Sequence, residues 1–352
     1  MKYNNTVSYL KAYGIVLMVI GHCTSGGMRD FIYMFHMPLF FFVSGYCFKR
    51  SYLSKCSLFI WKKIDGLYFP FVKWCLLFLL LHNIFYQFHF FDINDNTNPI
   101  SPLSNNEILH SFVNIIFFMR EQPPIIGAFW FMGTLFWGSF ISYAFLKIFN
   151  NPEWAAISTL GICLITNYKG WQIPIIVITP QTFSAAFLII VGYIFAYREI
   201  RLFNIWQITI AMVLIIMGSI FWKAEMSHGF YSTPRIIPFM TTAIGAVWAF
   251  YSIFKKLENK ISLKFLSILL YIGNHTLIIL ALHFLAFKFI SIIIISIYNL
   301  PISRLAEYPA ILEYANKGWW IIYSIAGVIL PLTYNWCNKN LKTYLIKYFI
   351  SE

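Results

Sequence analysis

The feature that most constrains this chain is a succession of long apolar runs almost free of charge. AFLIIVGYIFAY at 186–197 and LIILALHFLAFKFISIIIISIY at 277–298 are two of them. About 20 mostly apolar residues suffice for a helix to cross the hydrocarbon of a bilayer. Only 11% of the residues are charged and 59% are hydrophobic, where a soluble domain carries roughly a quarter charged residues. That excludes an ordinary soluble domain and a disordered chain. The net charge of +13 raises the question of nucleic acid. However, the Lys and Arg residues are scattered between apolar runs and not gathered on a soluble face, so no nucleic-acid partner is expected. A membrane β-barrel is built from alternating segments of roughly ten residues, and the runs here are longer and uniformly apolar. The fold class expected is all-α, a polytopic transmembrane helical bundle.

The runs predict ten spans, at 7–25, 31–48, 66–90, 126–148, 153–168, 180–197, 203–222, 237–254, 267–297 and 317–337. With both termini in the cytoplasm, sixteen basic residues, Lys49, Arg50, Lys62, Lys63, Lys255 and Lys256 among them, fall on the inner side. Seven fall outside: Arg29, Arg120, Lys169, Lys223, Arg235, Arg304 and Lys317. This bias sets the orientation and implies contact with anionic lipids. Lys11, Lys73 and Lys288 remain inside spans. The first run lacks a cleavage site and is read as a retained span. Residues 1–337 form one transmembrane domain and 338–352 a short cytoplasmic tail. The longest outer connection opens with DINDNTNPISPLSNN and continues into a weakly amphipathic stretch from Glu107 to Phe118, for which a short interfacial helix is expected. The six cysteines include no CxxC pair, so neither a disulfide framework nor a metal site is expected.

Ionisable residues within spans are costly and point to function. Lys11 and His22 lie eleven residues apart. That is close to three full turns, so both project from one helix face, about 16 Å apart along it. The plainer reading is that Lys11 snorkels to the inner interface and His22 caps the helix. His36 opens the second span after a short loop and should lie at the same depth as His22. Two histidines at matched depth above an aligned lysine suggest a polar cavity. Pro38 can open that helix locally, and Ser44 and Gly45 allow close helix approach.

KAYGIVLMVIGH at 11–22, FHMPLFFFVSGY at 35–46 and the basic FIWKKIDGLYFP at 59–70 together resemble the integral-membrane acyltransferase 3 family. Later segments agree in the same order: AFWFMGTLFW at 128–137, AFLIIVGYIFAY, and YIGNHTLIILALHF at 271–284. Lys11 stands where arginine is commoner in that family, and Ser8 where an acidic residue is frequent. Asp65, Gly66 and Leu67 thin the basic cluster ahead of Pro70.

The resemblance implies transfer of an acyl group, usually acetyl, from cytosolic acyl-CoA to a hydroxyl of a glycan or lipid-linked saccharide at the outer side. Acetyl-CoA is the expected donor, and a bacterial cytoplasmic (inner) membrane the expected location. Acyl transfer needs a base for the acceptor's proton, donors for the tetrahedral oxyanion and an anion site. His22 is implied as base or acyl relay, with His36 orienting it or donating to the oxyanion. Lys11, Lys62 and Lys63 are implied to bind CoA phosphates, although Lys62 and Lys63 read equally as positive-inside anchors. Trp130, His283, Asn274 and Ser44 are implied on the substrate side; Trp130 alone reads as interfacial belt. An oligomer is compatible with all of this. The competing class is a transporter or flippase that uses Lys11, His22 and His283 as a substrate or proton path. The repeat symmetry and paired broken helices common in transporters are absent from the sequence.

Overall fold

The computed structural model describes residues 4–91, 101–173, 176, 178–226 and 233–350. Lys2, the opening of the polar outer connection at 92–100, and residues 351–352 lie outside the described residues. Every named element is helical. They are α1 (Asn5–His22), α2 (Gly27–Tyr33), α3 (His36–Tyr46), α4 (Cys56–Lys63), α5 (Phe69–Leu80), α6 (His82–Gln87), α7 (Asn105–Val113) and α8 (Trp130–Ile148). There follow α9 (Pro152–Lys169), α10 (Pro180–Tyr197), α11 (Ile205–Phe221), α12 (Thr233–Leu257), α13 (Leu263–Asn274), α14 (Thr276–Tyr298), the single turn α15 (Leu312–Tyr314), and α16 (Trp320–Ile350).

Five segments are long and apolar enough to cross a membrane: Pro124–Ile148, Pro180–Tyr197, Thr233–Leu257, Thr276–Tyr298 and Leu312–Leu341. α11 and α13 are apolar but shorter. The outward faces carry large apolar side chains, Trp206, Ile210 and Ile216 on α11, Phe289 and Ile293 on α14, Ile325 and Ile329 on α16. So much exposed apolar surface needs lipid or protein against it, which fits an integral membrane protein.

Three expected spans are broken, the one at 66–90 at Leu81, between α5 and α6. The run at 31–48 is divided at Met34–Phe35, so that α2 and α3 are separate helices. Pro38 does not open α3, because it lies in the first turn, where a backbone N–H has no intrahelical acceptor in any case. The run at 267–297 is divided at His275, whose backbone leaves the helical region. This break lets α13 pack along the start of α1 while α14 runs on against α16. The amphipathic stretch after Glu107 is helical, and Ser104 and Glu107 form a capping box ahead of it.

Glycines set the closest crossings. A Cβ on Gly45 of α3 would collide with the Ile189 carbonyl of α10, and one on Gly192 of α10 with the Phe42 carbonyl of α3. Gly273 lets α13 press on the Ser8 carbonyl of α1 in the same way. Small residues at such contacts let backbones approach within van der Waals range. α1 packs directly on α3, where Gly14 makes room for the Leu39 side chain, and the ends that carry His22 and His36 line one cavity.

Candidate active site

His22 is the last residue of α1 and His36 the first of α3, so the short α2 between them returns the chain to the same level. A cavity of about 960 Å³ opens there. His22, Tyr33, His36, Trp130, Phe284 and Tyr308 are among the residues lining it.

The histidines are held by different means. His36 is 4% exposed, and its Nδ1 donates to the carbonyl of Ile32 at 3.0 Å. His283, on the second turn of α14, is wholly buried, with Nδ1 facing the carbonyls of Ile279 (3.1 Å) and Leu280 (3.0 Å). A carbonyl only accepts, so Nδ1 carries the hydrogen in both rings and the neutral ring's lone pair is on Nε2. Nε2 of His283 is buried without a hydrogen bond. Its ring lies 5.3 Å from that of His22, centroid to centroid, and Phe284 packs on His22 at 4.9 Å.

His22 does not cap its own helix. Its Nδ1 shares a hydrogen bond of 3.2 Å with the Tyr33 hydroxyl. The Tyr33 ring lies tilted against His36, centroids 4.8 Å apart, and the Arg29 guanidinium lies 4.6 Å above the Tyr33 ring. Arg29 in turn pairs with Glu225 at 3.2 Å. Burial works against the Arg29 charge, but Tyr33, Glu225 and Asp30 outweigh it and hold the guanidinium more firmly protonated than usual. The order His283, His22, Tyr33, Arg29 is thus a continuous line from the buried interior to the exposed Arg29. Gly21 makes room for it, since a Cβ there would meet the Tyr33 ring at 2.9 Å.

The remaining expected residues gather elsewhere. Lys63 Nζ donates to the Ser44 hydroxyl at 3.4 Å, and both Lys11 and Lys63 lie close enough to the Cys47 thiol to act on it electrostatically. Ser44 is eight residues along α3 from His36, about 12 Å by helical rise. It therefore belongs to this second group and not to the cavity lining. Burial lowers the Lys63 ammonium to about 8. Lys62, one residue earlier, is exposed. The Asn274 side chain accepts from Ser8 Oγ at 3.1 Å, near the start of α1. The expected residues thus fall into a histidine group with Trp130 at one end and a lysine group at the other. Among the described residues no cluster of three His, Cys, Asp or Glu side chains is arranged for a metal ion.

Tyr33, Arg29, Glu225, Phe284 and Tyr308 were not singled out as site residues by the sequence. Tyr33 carried a signal, being one helical turn ahead of His36; Glu225 and Tyr308 reach the cavity from distant loops and carried none. A family model described as an acyltransferase domain matches residues 4–336. No curated protein and no solved structure matches the chain.

Proposed function

This chain belongs to the acyltransferase 3 family, and on that premise we propose that it moves an acyl group, acetyl by preference, from cytosolic acyl-CoA to a hydroxyl of a glycan or lipid-linked saccharide on the far side of the membrane. The observation that carries this reading is the meeting of His22 with His283 and Tyr33 at the wall of a cavity large enough for a sugar.

In this mechanism an acceptor hydroxyl enters the cavity and gives its proton to a ring nitrogen of His22. The freed oxygen attacks the thioester carbonyl, and a tetrahedral oxyanion forms. Collapse breaks the C–S bond, and the departing CoA thiolate recovers a proton from the imidazolium. The proton and the acyl group therefore exchange places between acceptor and CoA with nothing left over. Tyr33 holds the His22 ring in one orientation, so the base is in place before the acceptor arrives. Lys11 and Lys63, on the cytosolic side in this reading, attract the donor's phosphates as point charges. The extended pantetheine arm bridges the distance from there to His22. Trp130 and the other rings of the cavity suit the apolar faces of a sugar.

The test is direct. Protein purified in detergent is incubated with acetyl-CoA, with CoA and with a nucleotide lacking the thioester, and its melting temperature is recorded. Acetyl-CoA and CoA should stabilise it, and labelled acetyl should appear in a glycan extract. Stabilisation by none of them, together with acceptor flux in proteoliposomes, would refute the enzyme.

A further inference from the structure

Lys288 is a basic residue inside an apolar helix that the mechanism above leaves unused. It lies five residues beyond His283 on α14 and is 1% exposed. An ammonium group removed that far from water requires acceptors in place of solvent. It has two, since Nζ donates to the carbonyls of Leu305 (2.6 Å) and Glu307 (3.0 Å).

Both carbonyls belong to the segment that joins α14 to α15. Residues 302–306 form one short 3₁₀ turn, and Glu307 then extends away from it. Carbonyls at the end of such a turn have no intrahelical partner, and a cation is well suited to them. Ala306, Glu307, Tyr308, Pro309 and Ala310, the residues at and beyond this point, line the cavity of His22. Tyr308 packs on Phe284 at 4.8 Å, and Phe284 packs on His22. The same helix ties the segment a second time, where Ser291 and the Tyr323 hydroxyl share a bond of 2.8 Å and the Ile311 N–H reaches that hydroxyl at 3.3 Å.

We propose that Lys288 is a positioning residue that clamps the 302–310 segment against α14 by two backbone carbonyls and so sets the wall on which the acceptor binds. It touches neither His22 nor the lysine group at the other end. Its loss therefore weakens the acceptor's hold and leaves the donor's unchanged. The kinetic half of this rests on the acyl-transfer reading of the cavity; the clamp itself does not.

The test uses full-length protein in detergent with Lys288→Met, Lys288→Gln and Lys288→Arg, read by hydrogen-exchange mass spectrometry and by steady-state transfer. Loss of two charge-assisted hydrogen bonds should speed exchange across 302–311 at least about tenfold in Lys288→Met, with α1 and α8 unchanged. The acceptor KM should rise about tenfold, with the acetyl-CoA KM and kcat within about twofold. Lys288→Gln should fall between, and Lys288→Arg should recover most of the loss. Unchanged exchange, or faster exchange with an unaltered acceptor KM, overturns the proposal. So does a chain that folds with Arg but with neither Met nor Gln, since Lys288 would then support the whole fold and not one wall. If the unaltered protein transfers nothing while exchange quickens as stated, the clamp stands and the acyl-transfer reading is what fails.

Discussion

His22 draws its proposed role from three contacts made in different directions: His283 beside it, Phe284 across it and Tyr33 at its Nδ1. A general base supplies about 10²–10⁴ in rate, so His22→Ala should lose at least that in kcat/KM while still responding to acetyl-CoA in a thermal-shift assay. If His22 serves as an acyl relay instead, intact-protein mass spectrometry after acetyl-CoA alone will find an added acetyl group, absent from His22→Ala. Tyr33→Phe keeps the ring over Arg29 and His36 and removes only the hydroxyl. One such bond is worth about 1 kcal/mol net, so kcat should fall roughly fivefold to tenfold with the melting temperature nearly unchanged. A variant as active as the parent would mean that His22 is oriented by packing alone. That His22 and His36 would reach one level was legible in the sequence, because it followed from the depth of two adjoining runs. Their connection through Tyr33 was not, because it depends on the angle of a seven-residue helix that no apolar periodicity defines.

At the scale of elements, the all-helical, apolar character was legible; the number and continuity of the spans were not, since five of the described segments are long and apolar enough to cross a membrane where ten were expected. The runs at 31–48 and 267–297 look unbroken because apolar composition continues through Met34–Phe35 and through His275. What divides them is the packing of each half on a different partner, which hydropathy does not record. Gly45 and Gly192 illustrate the point, each with the other helix's backbone where a Cβ would be. Overpacking of this kind typically costs about 1–3 kcal/mol, and here the obstruction is backbone and cannot rotate aside. Gly192→Ala should accordingly lower the melting temperature by several degrees and reduce activity, since α3 carries both His36 and Ser44. Gly161, which has no heavy atom near such a Cβ, is the control, and Gly161→Ala should melt at or above the parent temperature. Equal melting of the two variants would show that the α3–α10 crossing does not limit stability.

For the molecule as a whole, the division into a histidine end and a lysine end is the feature on which the transfer reading depends. Lys11 and Lys63 gather by Cys47, while His22 stands about 16 Å further along α1. Lys11→Ala should raise the KM for acetyl-CoA, and Lys11→Arg should restore it; an unchanged KM and kcat would leave Lys11 a snorkelling anchor. Burial brings Lys63 to about 8, so it is mainly cationic at pH 7 and loses its charge as the pH rises through that value. Donor binding should therefore weaken between pH 7 and pH 9, and Lys63→Arg, which stays charged, should flatten the profile. The measurement that bears most directly on the central claim is transfer of labelled acetyl from acetyl-CoA to a glycan acceptor by purified protein, run beside His22→Ala of the same melting temperature. The account predicts labelled ester in the first and at most about a hundredth of that rate in the second; no labelled ester from the parent protein, or near-equal rates from the two, would contradict it.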